Sequence, residues 1–161
     1  MKKLTDNVNI PFLQGEHDGL CGLYAIANAM KYNSDKVHSP SYYKYLFSKV
    51  NVDLFQNGIE HNDYMKVMAD CSKHYSFLYK QIKNTTVSRL SPLSGCFIVG
   101  VGKSDVLWDE PHYTIIIPSG PEYYTFYDCY YGLFLAKREL FSFKSEKNKV
   151  RIYQDEIIHI C

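Results

Sequence analysis

The stretch QGEHDGLCGLYAIANAM, residues 14–30, places one cysteine between two glycines at the start of an apolar run. The run covers nearly every direction of a helix, with Leu23, Ala25, Ile26, Ala27, Ala29 and Met30. A helix that is apolar almost all round is buried, because it has no polar face to present to solvent. We therefore expect a helix from Gly19 or Cys21 to about Tyr32, at the centre of the fold.

The rest of the chain changes pattern once, near residue 75. Apolar residues at three- and four-residue spacing give way to short β-branched and aromatic runs. Two more helices are predicted before this point, from Pro40 to about Val50 with Ser39 as N-cap, and from Ile59 to about His74. The strands predicted after it are Phe77–Ile82, Cys96–Val101, Tyr113–Ile117, Tyr123–Tyr127, Gly132–Leu135 and Val150–Tyr153. Helices followed by strands predict an α+β fold, with N-terminal helices packed on a C-terminal antiparallel sheet. A length of 161 residues fits a single domain, 1–161.

The composition argues against several classes of function. Lys and Arg number 18 and Asp and Glu number 17, so the net charge near +1 gives no electrostatic basis for binding nucleic acid or an acidic membrane. The amino terminus has no apolar run long enough for a signal-peptide core, and no stretch of the chain approaches the length of a transmembrane helix. The five cysteines are widely spread and form no CxxC pair or His/Cys cluster, so we expect free thiols and no zinc site. Free thiols favour a reducing, cytoplasmic location, and export without a cleaved signal peptide stays open.

Cys21 is the first candidate for chemistry. A thiol at a helix N-terminus meets the positive end of the peptide dipoles, which stabilises the thiolate. Gly19 and Gly22 leave room for a substrate backbone to approach. Gly22 and Trp108 are therefore candidates for the wall of a substrate cleft. The alternative for Cys21 is a small buried apolar side chain, and the alternative for Trp108 is a loop residue that simply packs.

His112 and Asp128 are candidates for a base and an orienting acid. His112 opens the run HYTIII, and Asp128 ends the next run, YYTFYD. Ser119-Gly120-Pro121 between them predicts a turn, so the two runs form an antiparallel hairpin in which the start of one strand lies beside the end of the other. The carboxylate can then fix the imidazole tautomer and stabilise the imidazolium. The alternatives are a surface histidine and a turn aspartate.

Gln14 is a candidate oxyanion donor. Its amide lies seven residues before Cys21 in a glycine-containing loop, from which it could donate to an oxyanion beside the Cys21 backbone N–H. A surface glutamine is the alternative when Gln14 is taken alone. The four residues together, in the order Gln, Cys, His, Asp, favour nucleophilic catalysis by a thiol.

The motifs Q-x6-C-G, H-Y-T-I-I-I and Y-D-x3-G resemble those of the papain-like cysteine peptidases. They are most similar to the leader-peptidase domains of bacteriocin-exporting ABC transporters and to stand-alone bacterial effectors of the same fold. The resemblance covers about residues 14–30 and 95–132, although Gln14 lies one residue farther from the cysteine than is usual in that group.

The resemblance implies a role for each candidate: Cys21 as nucleophile, His112 as base, Asp128 as orienting acid and Gln14 in the oxyanion hole. It implies a cysteine hydrolase that attacks an amide bond of a protein or peptide substrate through a thioester, as a protease. A protein glutamine deamidase or a transglutaminase-type effector or toxin, delivered to a target cell, is the first alternative. A non-catalytic binding module with a tyrosine-rich contact surface is the second. We expect no metal or organic cofactor, and an inhibitor or immunity protein is a further expected partner.

Overall fold

The computed structural model describes residues 2–3, 11–14, 19–34, 39–83, 85–86, 90 and 95–161. The helices of this part of the chain are α1 (Cys21–Tyr32), α2 (Lys44–Phe47), α3 (Val52–Asn57) and α4 (His61–Tyr75). Its strands are β1 (Lys2–Lys3), β2 (Tyr79–Gln81), β3 (Cys96–Val101), β4 (His112–Ser119), β5 (Tyr123–Asp128), β6 (Gly132–Lys137), β7 (Phe141–Ser142) and β8 (Val150–Ile160). No helix among these residues is long and apolar enough to cross a membrane.

The strands join in one sheet, in the order β1-β6-β5-β4-β3-β8-β2, with β7 beside β8. Neighbouring strands are antiparallel except for the short parallel pair of β7 and β8. The turn around Gly120 joins β4 to β5, which pair from Ser119 and Tyr123 onward, as the sequence predicts. The predicted α+β class is therefore confirmed, with N-terminal helices packed on an antiparallel sheet.

The two faces of the sheet bury two apolar clusters. Helix α1 packs against β3, β4 and β5 on one face, and α2 and α4 complete that cluster. Alternate residues of β3, β4, β5 and β6 point to the second cluster: Phe97, Val99, Val101, Ile116, Tyr124, Phe126 and Phe134. Phe141, Val150 and Ile152, from β7 and the first part of β8, cover this second face. Burial on both faces makes β3 continuously apolar, because neither side of it meets solvent.

The structure differs from the sequence expectations at several boundaries. The helix expected from Pro40 to Val50 is a 3₁₀ helix, Pro40–Tyr43, followed by α2, and the Ser39 side chain pairs with Ser41 instead of capping it. Helix α3 was not expected from the sequence. Its signals are local: Asn51 accepts a 2.8 Å hydrogen bond from the Leu54 N–H as N-cap, and a glycine with positive φ follows the helix. The last strand continues seven residues beyond the expected Tyr153 end, to Ile160.

Candidate active site

Cys21 is the first residue of α1, and its side chain is half-buried. The first N–H groups of a helix have no carbonyl partner within the helix. They are therefore available as hydrogen-bond donors at the end of α1 where the Cys21 sulfur lies. The burial of α1 on β4 fixes this helix end beside the start of β4. There the Tyr113 backbone N–H donates a 3.5 Å hydrogen bond to Cys21 Sγ, which brings the sulfur next to His112.

The glycines around Cys21 serve packing. The Gly19 N–H donates a 2.7 Å hydrogen bond to the Phe55 carbonyl, and a Cβ on Gly19 would lie 2.5 Å from the Gly58 nitrogen. Gly22 is buried, and a Cβ there would lie 2.8 Å from Ile59. The expectation that Gly22 lines a substrate cleft is thus corrected, because α4 and the residues before it occupy the space that the missing side chain leaves.

His112 and Asp128 lie together as the hairpin register requires. Ile115 pairs with Tyr127, which brings the start of β4 alongside the end of β5. His112 Nε2 and Asp128 Oδ2 are 2.9 Å apart, and the two residues are 3% and 0% exposed. A charged pair removed from water in this way is costly unless its remaining hydrogen-bonding atoms are also satisfied.

The second carboxylate oxygen of Asp128 holds the turn after β5. Oδ1 accepts hydrogen bonds from the backbone N–H groups of Tyr130 and Tyr131, each 2.8 Å long. The sequence left two readings open for this residue, an orienting acid and a turn aspartate. The carboxylate makes both kinds of contact: Oδ2 contacts the His112 imidazole, and Oδ1 accepts hydrogen bonds from the turn.

The contacts between His112 and Asp128 shift the pKa of each residue toward its charged form. Burial alone would lower the pKa of His112, but its contacts with Asp128, Cys129 and Cys21 raise it well above its usual value. Burial alone would raise the pKa of Asp128, but the hydrogen bond and charge of His112 lower it below its usual value. The opposite charge of each partner therefore offsets part of the cost of burying the other.

His112 Nδ1 is the nitrogen available to Cys21, because Nε2 faces Asp128. This atom is buried and makes no hydrogen bond to any residue that the structure describes. The Cys21 thiol is still near enough to contribute to the raised pKa of His112. A thiol–imidazole contact that is loose without substrate is common in enzymes, because such bonds tighten when substrate binds.

Two aromatic rings hold the imidazole plane. Tyr130 stacks on His112 with ring centroids 4.6 Å apart, and Trp108 stacks on it at 5.7 Å. Trp108 is 1% exposed and also contacts Phe126, so it belongs to the second apolar cluster. The prediction that Trp108 lines a substrate cleft is therefore corrected. Its large apolar ring is buried in the second cluster beside His112, where it is removed from solvent.

Gln14 is attached to the segment that follows Asp128. Its backbone N–H donates to the Cys129 carbonyl at 2.9 Å, its side-chain amide donates to the Tyr130 hydroxyl at 3.3 Å, and its side-chain oxygen accepts from the Cys129 thiol at 3.2 Å. Buried Asn28 of α1 anchors the same segment by hydrogen bonds to the backbone of Phe12, at 2.7 and 3.1 Å. Gln14 is thus held between the segment that α1 anchors and the turn after Asp128.

The other thiols are distinguished by burial. Cys129 Sγ lies 3.8 Å from His112 Nε2, but burial raises its pKa to about 11. Burial likewise raises the pKa of Cys71 to about 11 and that of Cys96 to about 12. Cys161 is exposed at the carboxyl end. No group of metal-ligating side chains suited to an ion occurs in the described part of the chain.

A cleft of about 700 Å³ opens beside the sulfur. Its lining residues are Gly19, Cys21, Gln56, Asn57, Gly58, Ile59, Glu60, His61, Val101, Glu110, Pro111, His112, Tyr113, Tyr130, Tyr153 and Glu156. Three of these residues, His61, Tyr130 and Glu156, were not expected at the site from the sequence. Tyr130 could have been found from its place in the turn after Asp128, whereas the other two reach the cleft through contacts distant in sequence.

Comparison with known proteins identifies the fold. No protein-family model and no curated protein matches this sequence. Among solved structures, the chain is similar to the peptidase domain of Streptococcus ComA, a bi-functional ABC transporter involved in a quorum-sensing pathway. The two share 19% identity at a TM-score of 0.57, over 95% of this chain and 97% of that one. This chain has a papain-like peptidase fold. The resemblance expected from the motifs is confirmed at that level.

Proposed function

We propose that this chain is a papain-like cysteine protease that cleaves an amide bond of a protein or peptide substrate, with Cys21 as nucleophile. One arrangement carries the proposal. A half-exposed sulfur at a helix N-terminus lines a cleft, beside a buried imidazole whose far nitrogen lies 2.9 Å from a buried carboxylate. A cysteine that served packing alone would need neither the buried charged pair nor the cleft.

The first half of the proposed reaction forms a thioester. His112 Nδ1 takes the Cys21 proton, and the thiolate attacks the substrate carbonyl carbon to form the S–C bond. The carbonyl electrons move onto oxygen, which the Cys21 backbone N–H and the Gln14 amide stabilise. The imidazolium then gives its Nδ1 proton to the leaving nitrogen as the C–N bond breaks, and the amine departs.

The second half releases the acid product. His112 Nδ1 accepts a proton from water as the water oxygen attacks the thioester carbon, and the S–C bond then breaks to return the thiolate. Asp128 keeps the ring proton on Nε2 throughout, so that Nδ1 is the atom that moves protons. Gln14 as oxyanion donor is the part of this scheme that rests on the motif resemblance.

The first experiment measures the reactivity of each thiol. The protein is treated with limiting iodoacetamide at neutral pH, and all five cysteines are quantified by peptide mapping in the wild type and in His112→Ala. We expect Cys21 to react fastest and to lose that rate in the variant, because a thiolate paired with an imidazolium alkylates faster than a neutral thiol. Equal Cys21 rates in the two proteins would refute the catalytic pair.

The second experiment identifies the leaving group. A peptide library from a digested proteome is incubated with the wild type and with Cys21→Ala, and the products are compared by mass spectrometry. New peptide termini that require Cys21 are expected for a protease. Intact peptides with deamidated or cross-linked glutamine would instead assign the deamidase or transglutaminase alternative. Delivery to a target cell and an immunity partner stay predictions.

A further inference from the structure

We infer that the cleft beside Cys21 recognises a positively charged side chain of the substrate, a lysine or an arginine next to the bond that is attacked. This inference rests on the proposed function and specifies its substrate class. Three observations support it. Acidic side chains line the cleft, a β-bulge places one of them there, and the buried Nδ1 of His112 has no hydrogen-bond partner among the described residues.

Three acidic side chains line the cleft: Glu60, Glu110 and Glu156. The basic side chains among its lining residues are the two imidazoles of His61 and His112. No lysine or arginine is among the described residues that line the cleft. The Arg151 guanidinium lies 5.1 Å from the centre of the Tyr153 ring, but Arg151 does not line the cleft. A cleft with carboxylates and low-dielectric walls concentrates cations and repels anions.

Glu156 reaches the cleft through a break in the strand register. In the pairing of β3 with β8, Val99 faces Ile157 but Val101 faces Ile152, so residues 153–156 bulge out of the ladder. Bulges commonly re-aim side chains next to active sites. Here the bulge turns both Tyr153 and Glu156 to the cleft.

Gly100 provides the space that the Glu156 carboxylate occupies. A Cβ on Gly100 would lie 1.7 Å from Glu156 Oε2 and 2.9 Å from Glu156 Cβ, so a side chain at residue 100 would displace the Glu156 side chain. Gly100 pairs with Tyr113 across β3 and β4, and the Tyr113 N–H bonds the Cys21 sulfur. The Glu156 side chain therefore packs over Gly100, whose strand partner Tyr113 contacts the Cys21 sulfur.

The Glu156 carboxylate has little compensation within the protein. Burial raises its pKa, and a hydrogen bond with the Tyr113 hydroxyl and the nearby charge of His61 only partly oppose that shift. A cationic side chain in the cleft would supply the missing opposite charge and lower the pKa again. A hydroxyl, a histidine and a carboxylate in contact thus form a polar wall suited to an ammonium or guanidinium group.

A second observation shows that a ligand belongs here. His112 is 3% exposed and lines the cleft, yet its buried Nδ1 makes no hydrogen bond to the described residues. Buried polar atoms without partners are rare, and at a functional site they mark the position of a missing group. The reacting bond of the substrate belongs beside this nitrogen, which sets its neighbouring side chain against the wall of Glu156 and Tyr113.

The test compares two thiol reagents that differ in charge. Trimethylammonioethyl and sulfonatoethyl methanethiosulfonate react with Cys21 in the same way: the thiolate attacks the thio sulfur, a mixed disulfide forms and methanesulfinate leaves. Rates are measured by peptide mapping in a Cys161→Ser background, because Cys161 is the exposed thiol. Each rate is divided by the rate of the same reagent with free cysteine. The ratio of the normalised rate of the cationic reagent to that of the anionic reagent then reports the electrostatic potential of the cleft. This ratio does not depend on the fraction of Cys21 that is present as thiolate.

We expect the wild-type ratio to exceed one, on the order of tenfold at low salt, and to fall as salt is added. Glu156→Gln keeps the shape and the Tyr113 contact and should lower the ratio about threefold or more. Glu122→Gln, an exposed carboxylate in the β4–β5 turn, makes the same change in net charge and should leave the ratio unaltered. A wild-type ratio of one or less, or equal ratios in wild type and Glu156→Gln, overturns the inference.

The two proposals fail in different ways. If Cys21 reacts with both reagents no faster in the wild type than in His112→Ala, the catalytic pair is wrong. If Cys21 depends on His112 but shows no preference for the cationic reagent, the protease proposal survives and the cationic subsite is refuted.

Discussion

Replacing Asp128 by asparagine tests how the carboxylate controls the base. Asp128 Oδ1 accepts two backbone N–H groups at 2.8 Å, and an amide oxygen can take over that position. The amide NH₂ must then face His112 Nε2, where Oδ2 now lies at 2.9 Å. Since an NH₂ group only donates, Nε2 must become the acceptor and the ring proton must move to Nδ1. The nitrogen that should receive the Cys21 proton would already carry one.

The size of the effect follows from the charge lost. Without the carboxylate, burial dominates and the pKa of His112 falls, so the imidazolium is lost at neutral pH. An unassisted thiol with a pKa of about 8.5 is only about 3% ionised at pH 7, so the Cys21 alkylation rate should fall about thirtyfold at that pH. Peptide cleavage should fall further, by about 10³–10⁴, because the wrong tautomer also impairs proton transfer to the leaving group.

The assay is the iodoacetamide rate of Cys21 between pH 5 and 9, read by peptide mapping. The wild-type rate should be nearly flat where the pair stays charged, whereas the Asp128→Asn rate should climb with pH. Exposed Asp105→Asn is the matched control and should follow the wild type. Asp128→Ala also removes the oxygen that accepts both turn N–H groups and should unfold at lower urea. An Asp128→Asn profile that superimposes on the wild type would show that the carboxylate serves the turn alone.

Three further changes have expected outcomes. Gln14→Ala should lower kcat of the peptide cleavage about 10²–10³-fold with the Cys21 alkylation rate unchanged, and a loss of both would make Gln14 a structural residue. Gly22→Ala places a Cβ 2.8 Å from Ile59 and 3.0 Å from a Tyr64 ring carbon, so it should cost about 1–3 kcal/mol in urea unfolding, and an unchanged midpoint would contradict the packing role. The stability that Asp128 contributes is present above pH 3.8 and is lost as the pH falls through its lowered folded-state pKa. The stability that His112 contributes is complete below pH 6.5 and is lost as the pH rises through its raised folded-state pKa. Asp128→Asn should therefore flatten both limbs of a urea-midpoint profile against pH, and parallel profiles for variant and wild type would contradict this.

The parts of the fold that could be predicted from the sequence are those fixed by nearby residues. The apolar run of α1 and the turn at Gly120 gave the nucleophile helix and the β4–β5 hairpin within one or two residues. The closeness of His112 and Asp128 follows from that hairpin alone. Asn51 and Gly58 bracket α3 with ordinary capping signals, but six residues are too few to show a helical period.

The parts that could not be predicted depend on pairings distant in sequence. Glu156 reaches the cleft because β8 changes register against β3. The stretch QDEIIHI, residues 154–160, contains no local pattern that predicts a bulge. Trp108 looked like a cleft residue because it precedes His112 in a loop. Its burial depends on the second apolar cluster, which β6, β7 and β8 complete later in the chain. The role of Gly22 was misjudged for the same reason, since the residues that fill the space beside it lie in the later helical segment.

The double use of the Asp128 carboxylate has a consequence for reading related sequences. A relative that has lost its enzymatic activity would still need an acceptor for the two N–H groups of this turn, so selection for a stable hairpin would retain the aspartate. An aspartate at this position therefore says little about whether a relative is active. The proposed reaction needs both the sulfur at the helix start and the imidazole beneath Tyr130, so their joint presence is the better criterion for separating active members from inactive ones.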